Sequence, residues 1–212
     1  VRLTKHGHAC VRVEQGSSAV VIDPGEFSGA DLLRGAHAVL VTHEHFDHVD
    51  VPAVTAALRE NPDLTVWTND SVAARFTDVP RERIRVVRHG DTFDAAGMAV
   101  HVYGEKHAPT HLAPVRNIGF LIGGEVFHPG DAFTVPEEPV RTLLLPTNAP
   151  WLKATEVVDY ASRVTPERAY SIHDGLVNEI GTRVIGNILN AAAHSAGGDY
   201  QRIPPGEAVE LY

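Results

Sequence analysis

His43-Glu44-His45-Phe46-Asp47-His48 places three histidines and an aspartate within one short stretch. Neutral imidazole nitrogens and a carboxylate suit zinc and similar divalent ions. His43 and His45 can converge on one ion. Asp47 and His48 point elsewhere and suit a second ion a few ångströms away. Two adjacent cations can hold a water between them, acidify it and clamp a reacting group. A polar turn with chance histidines would look similar locally, but matching partners recur further along the chain.

These residues need elements to position them. The apolar run Ala38-Val39-Leu40-Val41 reads as a buried strand that delivers the loop. Ala99 to Gly104 alternates like a strand and is followed by His107 and His111. Phe120-Leu121-Ile122, a Gly123-Gly124 turn and Val126-Phe127 read as a hairpin running into His128-Pro129-Gly130-Asp131. Ala169 to Ile172 is a short strand that delivers His173-Asp174-Gly175. Open sheets commonly build sites this way, from side chains at the carboxyl ends of several strands.

With these residues in order, the chain resembles the metallo-β-lactamase-fold metallo-hydrolases, of the small stand-alone, lactonase-like bacterial type. The resemblance runs from Gly7-His8-Ala9-Cys10 and Val21-Ile22-Asp23-Pro24-Gly25, through the His-x-His-x-Asp-His loop, His107 and Gly130-Asp131, to His173. It implies that His43, His45 and His107 hold one metal, that Asp47, His48 and His173 hold the other, and that Asp131 bridges them. It also implies that Asp23 supports the ligands from behind. His111 competes with His107 as third ligand of the first metal; His107 is preferred because it follows the strand sooner, leaving His111 for the pocket wall or substrate. His8 either supports the site or caps a turn.

Strands are expected near 2–6, 10–14, 19–23, 37–42 and 64–67 in the first half. The second half has them near 84–88, 98–103, 117–122, 125–128 and 141–145, with a final one at 208–211. Helices are expected at 53–59, where Pro52 suits the first turn, at about 153–163 and at roughly 178–193. Asn69 or Asp70 can cap a further helix. Strand-rich blocks flanked by helices fit an α/β (α+β) four-layer αβ/βα sandwich, two mixed sheets packed face to face with helices outside. The expected organisation is a single domain over 1–212 built from two similar halves.

The 212 residues are enough for a sizeable core. A net charge of −9 argues against a general nucleic-acid binder. The dense basic run from Arg81 to Arg88 reads as a solvated edge. No stretch is long enough to span a membrane, and the first residues lack a signal-peptide core. Cys10 is the only cysteine, so no intrachain disulfide can form and a cytoplasmic location is expected. The remaining histidines, His6, His37, His89, His101, His128 and His194, read mostly as surface or hydrogen-bonded core residues.

The expected activity is dinuclear metal-dependent hydrolysis of a small ester, lactone or phosphodiester by a metal-bridging hydroxide, with Asp47 orienting the nucleophile and passing a proton to the leaving group. The expected cofactors are two divalent ions, zinc first, with manganese, iron or nickel as alternatives. The expected partner is a small-molecule substrate. Pro24 to Phe27 and Pro146 to Trp151 are expected to shape the pocket, with Trp151 either stacking on substrate or plugging the core. Thr110, His111 and Asn117 are candidates to meet substrate. Two other classes remain: an iron-containing redox enzyme on the same fold, and a non-catalytic metal-binding protein. The redox members of the family usually carry a carboxylate where His45 stands. A scaffold need not keep every ligand.

Overall fold

The computed structural model describes residues 1–111 and 113–211. Its strands are β1 (Arg2–Gly7), β2 (Cys10–Gln15), β3 (Ser18–Ile22), β4 (Ala38–Val41), β5 (Thr65–Thr68), β6 (Ile84–Val86), β7 (Thr92–Ala95), β8 (Met98–Tyr103), β9 (Gly119–Ile122), β10 (Val126–His128), β11 (Thr142–Pro146), β12 (Arg168–Ile172), β13 (Asp199–Gln201) and β14 (Ala208–Glu210). The helices are α1 (Val51–Glu60), α2 (Asp70–Ala73), α3 (Ala154–Val164) and α4 (Glu179–Ala196). One sheet has the order β14-β1-β2-β3-β4-β5-β6 and the other β13-β12-β11-β10-β9-β8-β7. Each is mixed: β3 to β6 pair in parallel and β1 to β3 antiparallel, while β10 to β13 pair in parallel and β7 to β10 antiparallel.

The apolar pattern explains the layering. Successive strand residues face opposite sides. Val20, Ile22 and Leu40 therefore join Val100, Phe120, Ile122 and Leu144 in the core between the sheets. Val21, Val39 and Val41 face the other way, onto Val54 and Leu58 of α1. Leu143 and Leu145 face Val157 and Tyr160 of α3 and Leu189 of α4. Strands buried on both faces read as continuous apolar runs, as Ala38-Val39-Leu40-Val41 does. The result is the expected four-layer αβ/βα sandwich.

Helix boundaries follow local chemistry. Asp50 caps α1 by accepting from the Ala53 N–H at 2.9 Å, with Pro52 in the first turn. Asn69 caps α2 through the Ser71 and Val72 N–H groups. Gly197, at φ 78°, ends α4 in the left-handed conformation that glycine tolerates best. The β9–β10 hairpin turns on Gly123 and Gly124, at φ 60° and 65°.

The strands that carry the clustered residues point their carboxyl ends at one rim. His8 follows β1, Asp23 follows β3, and the His43–His48 loop follows β4. His107 lies beyond β8, Asp131 beyond β10 and His173 directly after β12.

Candidate metal centre

At that rim the structure brings together His43, His45, His107 and Asp131 in one cluster, and His8, Asp47, His48 and His173 in another. Within each cluster the ligating atoms lie within 4.8 Å of one another. Asp131 faces both. Its Oδ2 lies 3.3 Å from His107 Nε2, 3.1 Å from His173 Nε2 and 4.0 Å from His43 Nε2. Its Oδ1 lies 3.2 Å from His48 Nε2.

The hydrogen bonds behind the ligands set which ring nitrogen faces inward. His48 Nδ1 donates to Asp23 Oδ2 at 2.6 Å. Thr42 Oγ1 donates to the same oxygen at 2.7 Å, which leaves it to accept from His43 Nδ1 at 3.0 Å. His107 Nδ1 donates to the Ala108 carbonyl and His173 Nδ1 to the Asn148 carbonyl, each at 2.6 Å. In their neutral form all four rings therefore turn an Nε2 lone pair into the site. His45 turns Nδ1, which sits 3.0 Å from His43 Nε2.

Nε2 of His48, His107 and His173 and Oδ1 of Asp131 are buried without a hydrogen-bond partner among the described residues. Buried polar atoms are costly when unpaired. Four of them converging from four separate strand ends fit cations held between them, and the nitrogen and oxygen donor set suits zinc-like ions.

His8 sits in the second cluster but is differently committed. Its Nδ1 accepts from the Gly175 N–H at 3.1 Å, so Nε2 carries the proton and donates to Asp47 Oδ2 at 3.1 Å. It orients a carboxylate rather than offering a lone pair.

The backbone is strained where the side chains matter. His8, Asp23 and His173 adopt φ values of 34°, 50° and 55°, unusual for residues with a Cβ. His173 N–H donates to the His8 carbonyl and Asp23 N–H to the Leu40 carbonyl, each at 2.9 Å, which holds these turns. Gly130, at φ 64°, lies so close to Asn117 Oδ1 and Thr42 that a Cβ would not fit.

Electrostatics follow from the crowding. Burial and the neighbouring His48 hold His43 well below the usual imidazole range; burial and His107 lower His45. Both are neutral and ready to ligate. Burial alone would lower His48 and His173, but Asp131 and the other facing carboxylates outweigh it. They raise His48 strongly and His173 to about 9. Burial would raise Asp47 and Asp131, yet the surrounding histidines hold both carboxyls well below their usual range. Without metal, protons on His48 and His173 thus supply the positive charge the carboxylates demand.

His107, not His111, enters the cluster; His111 is exposed. Trp151 is half-buried over the site. Its Nε1–H donates to Asp131 Oδ2 at 3.1 Å, and its ring lies 5.4 Å from His107 and 6.2 Å from His173. Asn117 is not placed to meet substrate. It is buried, with its amide N–H on the Pro129 carbonyl and its oxygen accepting from the Asp131 N–H at 3.0 Å. It clamps the Asp131 turn. Thr42 lies outside the His-x-His-x-Asp-His motif; its one mark in the sequence is a polar residue at the end of an apolar run, directly before His43. His128, buried with Nε2 on the Ala9 carbonyl and Nδ1 accepting from Gly130 N–H, is a hydrogen-bonded core histidine.

Comparison with known proteins agrees with this geometry. A family model described as the beta-lactamase superfamily domain matches residues 2–173. The chain belongs to the beta-lactamase superfamily. It is similar to Protein Rv0786c of Mycobacterium tuberculosis, 37% identical over 84% of this chain and 85% of that one. It is also similar to a UPF0173 metal-dependent hydrolase of Methylobacterium nodulans, 31% identical over 62% and 63% of the two chains. In fold it is similar to Igni18, a metallo hydrolase from Ignicoccus hospitalis, with a TM-score of 0.76 and 17% identity over 100% and 99% of the chains. This superfamily member is a metal-dependent hydrolase, with His and Asp clusters able to hold metal.

Proposed function

We propose that this superfamily member is a dinuclear hydrolase, zinc-dependent, acting on a small ester, lactone or phosphodiester. The observation that carries the reading is the convergence of four unpartnered buried ligand atoms with Asp131 facing both clusters. His43, His45 and His107 would hold one ion and Asp47, His48 and His173 the other, with Asp131 shared. Such an ion pair supplies a nucleophile at neutral pH and polarises the substrate oxygen.

The chain's own residues do the rest. Asp23 and Thr42 fix the tautomers of His48 and His43. His8 aims Asp47, which stays ionised and so accepts a proton rather than donating one at the outset. Asp47 can then release that proton to the leaving oxygen. Trp151 donates to Asp131 and covers the site beside His107. A cytoplasmic location belongs to this proposal and rests on cysteine usage: Cys10 is the one cysteine.

The test is a panel of chromogenic esters, lactones and bis-aryl phosphates with zinc-loaded protein. Turnover abolished by chelation and restored by zinc supports the proposal. No turnover of any member, with iron bands in the visible spectrum of the purified protein, would favour the redox alternative.

A further inference from the structure

Two phenylalanines stand open to solvent at the edge of the second cluster. Phe27 is 46% exposed and Phe46 is 54% exposed. Their rings meet edge to face at 5.5 Å. Phe27 also meets the His8 ring edge-on at 5.3 Å, and Phe46 directly precedes Asp47. Leu176, 53% exposed, follows Gly175, whose N–H donates to His8 Nδ1. Phe27 thus meets the His8 ring, Phe46 adjoins Asp47, and Leu176 follows the residue whose N–H binds His8.

Their frame is fastened. Glu26 N–H donates to the Phe46 carbonyl at 2.8 Å, Asp50 N–H to the Pro24 carbonyl at 2.9 Å and Ser28 N–H to the Gly25 carbonyl at 3.0 Å. Gly25 packs against the Asp47 carbonyl so tightly that a Cβ would not fit. Rings held in water by a rigid frame forgo the burial that stabilises a fold. Pockets for small molecules are lined in this way, with apolar walls around a few convergent polar groups. Several basic side chains are paired with carboxylates. Lys5 and Arg202 pair with Asp174, Arg75 with Glu44 and Arg116 with Asp70. An anionic phosphodiester would draw on such groups; an uncharged ester would not.

We propose that Phe27 and Phe46 form an apolar subsite beside His8 and Asp47, and that the substrate is an uncharged ester or lactone whose apolar group lies on it. This substrate assignment rests on the hydrolase reading above. The acyl C–O bond breaks; water gives its hydroxyl to the acyl carbon and a proton to the leaving oxygen, leaving an acid and an alcohol.

The test separates the subsite from the reaction. Acetohydroxamate and hexanohydroxamate bind metal through the same group and differ only in the apolar chain. Zinc-loaded parent should bind hexanohydroxamate about tenfold or more tightly than acetohydroxamate. The Phe27→Ala/Phe46→Ala variant should cut that ratio to about threefold or less, as should Phe46→Ala alone in part. Thermal melts check that each variant is folded. The ratio of kcat/KM for 4-nitrophenyl hexanoate over acetate should fall in parallel. Equal affinity of the parent for both hydroxamates, or a ratio unchanged in the folded double variant, overturns the subsite. Preferential hydroxamate binding without turnover of any ester keeps the subsite and overturns the hydrolase reading. A higher kcat/KM for bis(4-nitrophenyl) phosphate than for the hexanoate ester overturns the substrate assignment.

Discussion

His8 Nε2 donates to Asp47 Oδ2 at 3.1 Å while the Gly175 N–H holds His8 Nδ1 at the same distance. The contact joins β1 to the ligand loop after β4 and to the turn after β12. It leaves Asp47 one preferred orientation. His8→Ala should therefore lower kcat by about 10- to 100-fold, the usual effect of removing a group that supports a metal-site residue. Bound metal should be unchanged. Steady-state kinetics with elemental analysis checks this; lost metal would make His8 a ligand instead.

Asp47→Asn keeps the shape of the side chain and removes its charge. Hydrolysis should fall by about a hundredfold or more. Activity within about threefold of the parent would remove Asp47 from the mechanism.

Asp23 holds two clustered histidines at once, through His48 Nδ1 and through Thr42 to His43. Asp23→Asn should weaken zinc affinity by about 10- to 100-fold. Thr42→Val, which cuts only the His43 branch, should weaken it less. Competition with a chromophoric chelator measures both. Equal losses would contradict the branched arrangement.

Stability without metal should vary with pH in two directions. His173 is held at about 9, burial opposing and Asp131 raising it. Its contribution is fully present below about pH 6.5, its ordinary value, and is lost as pH rises through 9. His43 is held well below its ordinary value by burial and His48. Its contribution is present above about pH 6.5 and lost as pH falls. Metal-free protein should thus be most stable near neutrality. Metal replaces the proton on His173, so metal-loaded protein should keep its melting temperature from pH 7 to 9. It should lose it below about pH 6, where protons displace metal. Superimposable melts of the two forms across this range would mean that the apolar core alone fixes the fold.

Lys5 Nζ contacts Asp174 Oδ1 at 2.5 Å, both side chains almost fully buried, and Arg202 Nε contacts Oδ2 at 2.8 Å. Asp174→Ala leaves two cations uncompensated and should cost about 3–5 kcal/mol. Chemical denaturation checks this. A loss under about 1 kcal/mol would show that Lys5, whose pKa burial already lowers, gives up its proton once Asp174 is gone.

Strand-end placement of the clustered His and Asp side chains was legible because they follow apolar runs whose length and alternation mark strands. The layering was legible for the same reason. β7 and β13 were not. Thr92–Ala95 is largely exposed with Asp94 inside it, and Asp199–Gln201 has only Tyr200 buried, so neither shows an apolar run. Both are edge strands whose existence depends on their partners β8 and β12. The supporting shell was partly hidden too. Asn117 sits near His107 in sequence, yet its amide reaches the Asp131 turn. Gly175 and His8 meet across most of the chain's length, and spacing alone cannot show that contact.

Two ions sharing Asp131 would be seen in X-ray data collected above and below the zinc absorption edge from zinc-loaded crystals. Two anomalous peaks are expected, one among His43, His45 and His107 and one among Asp47, His48 and His173, with Asp131 contacting both. A single peak at full zinc loading, or a second peak remote from Asp131, would rule out the shared dinuclear site.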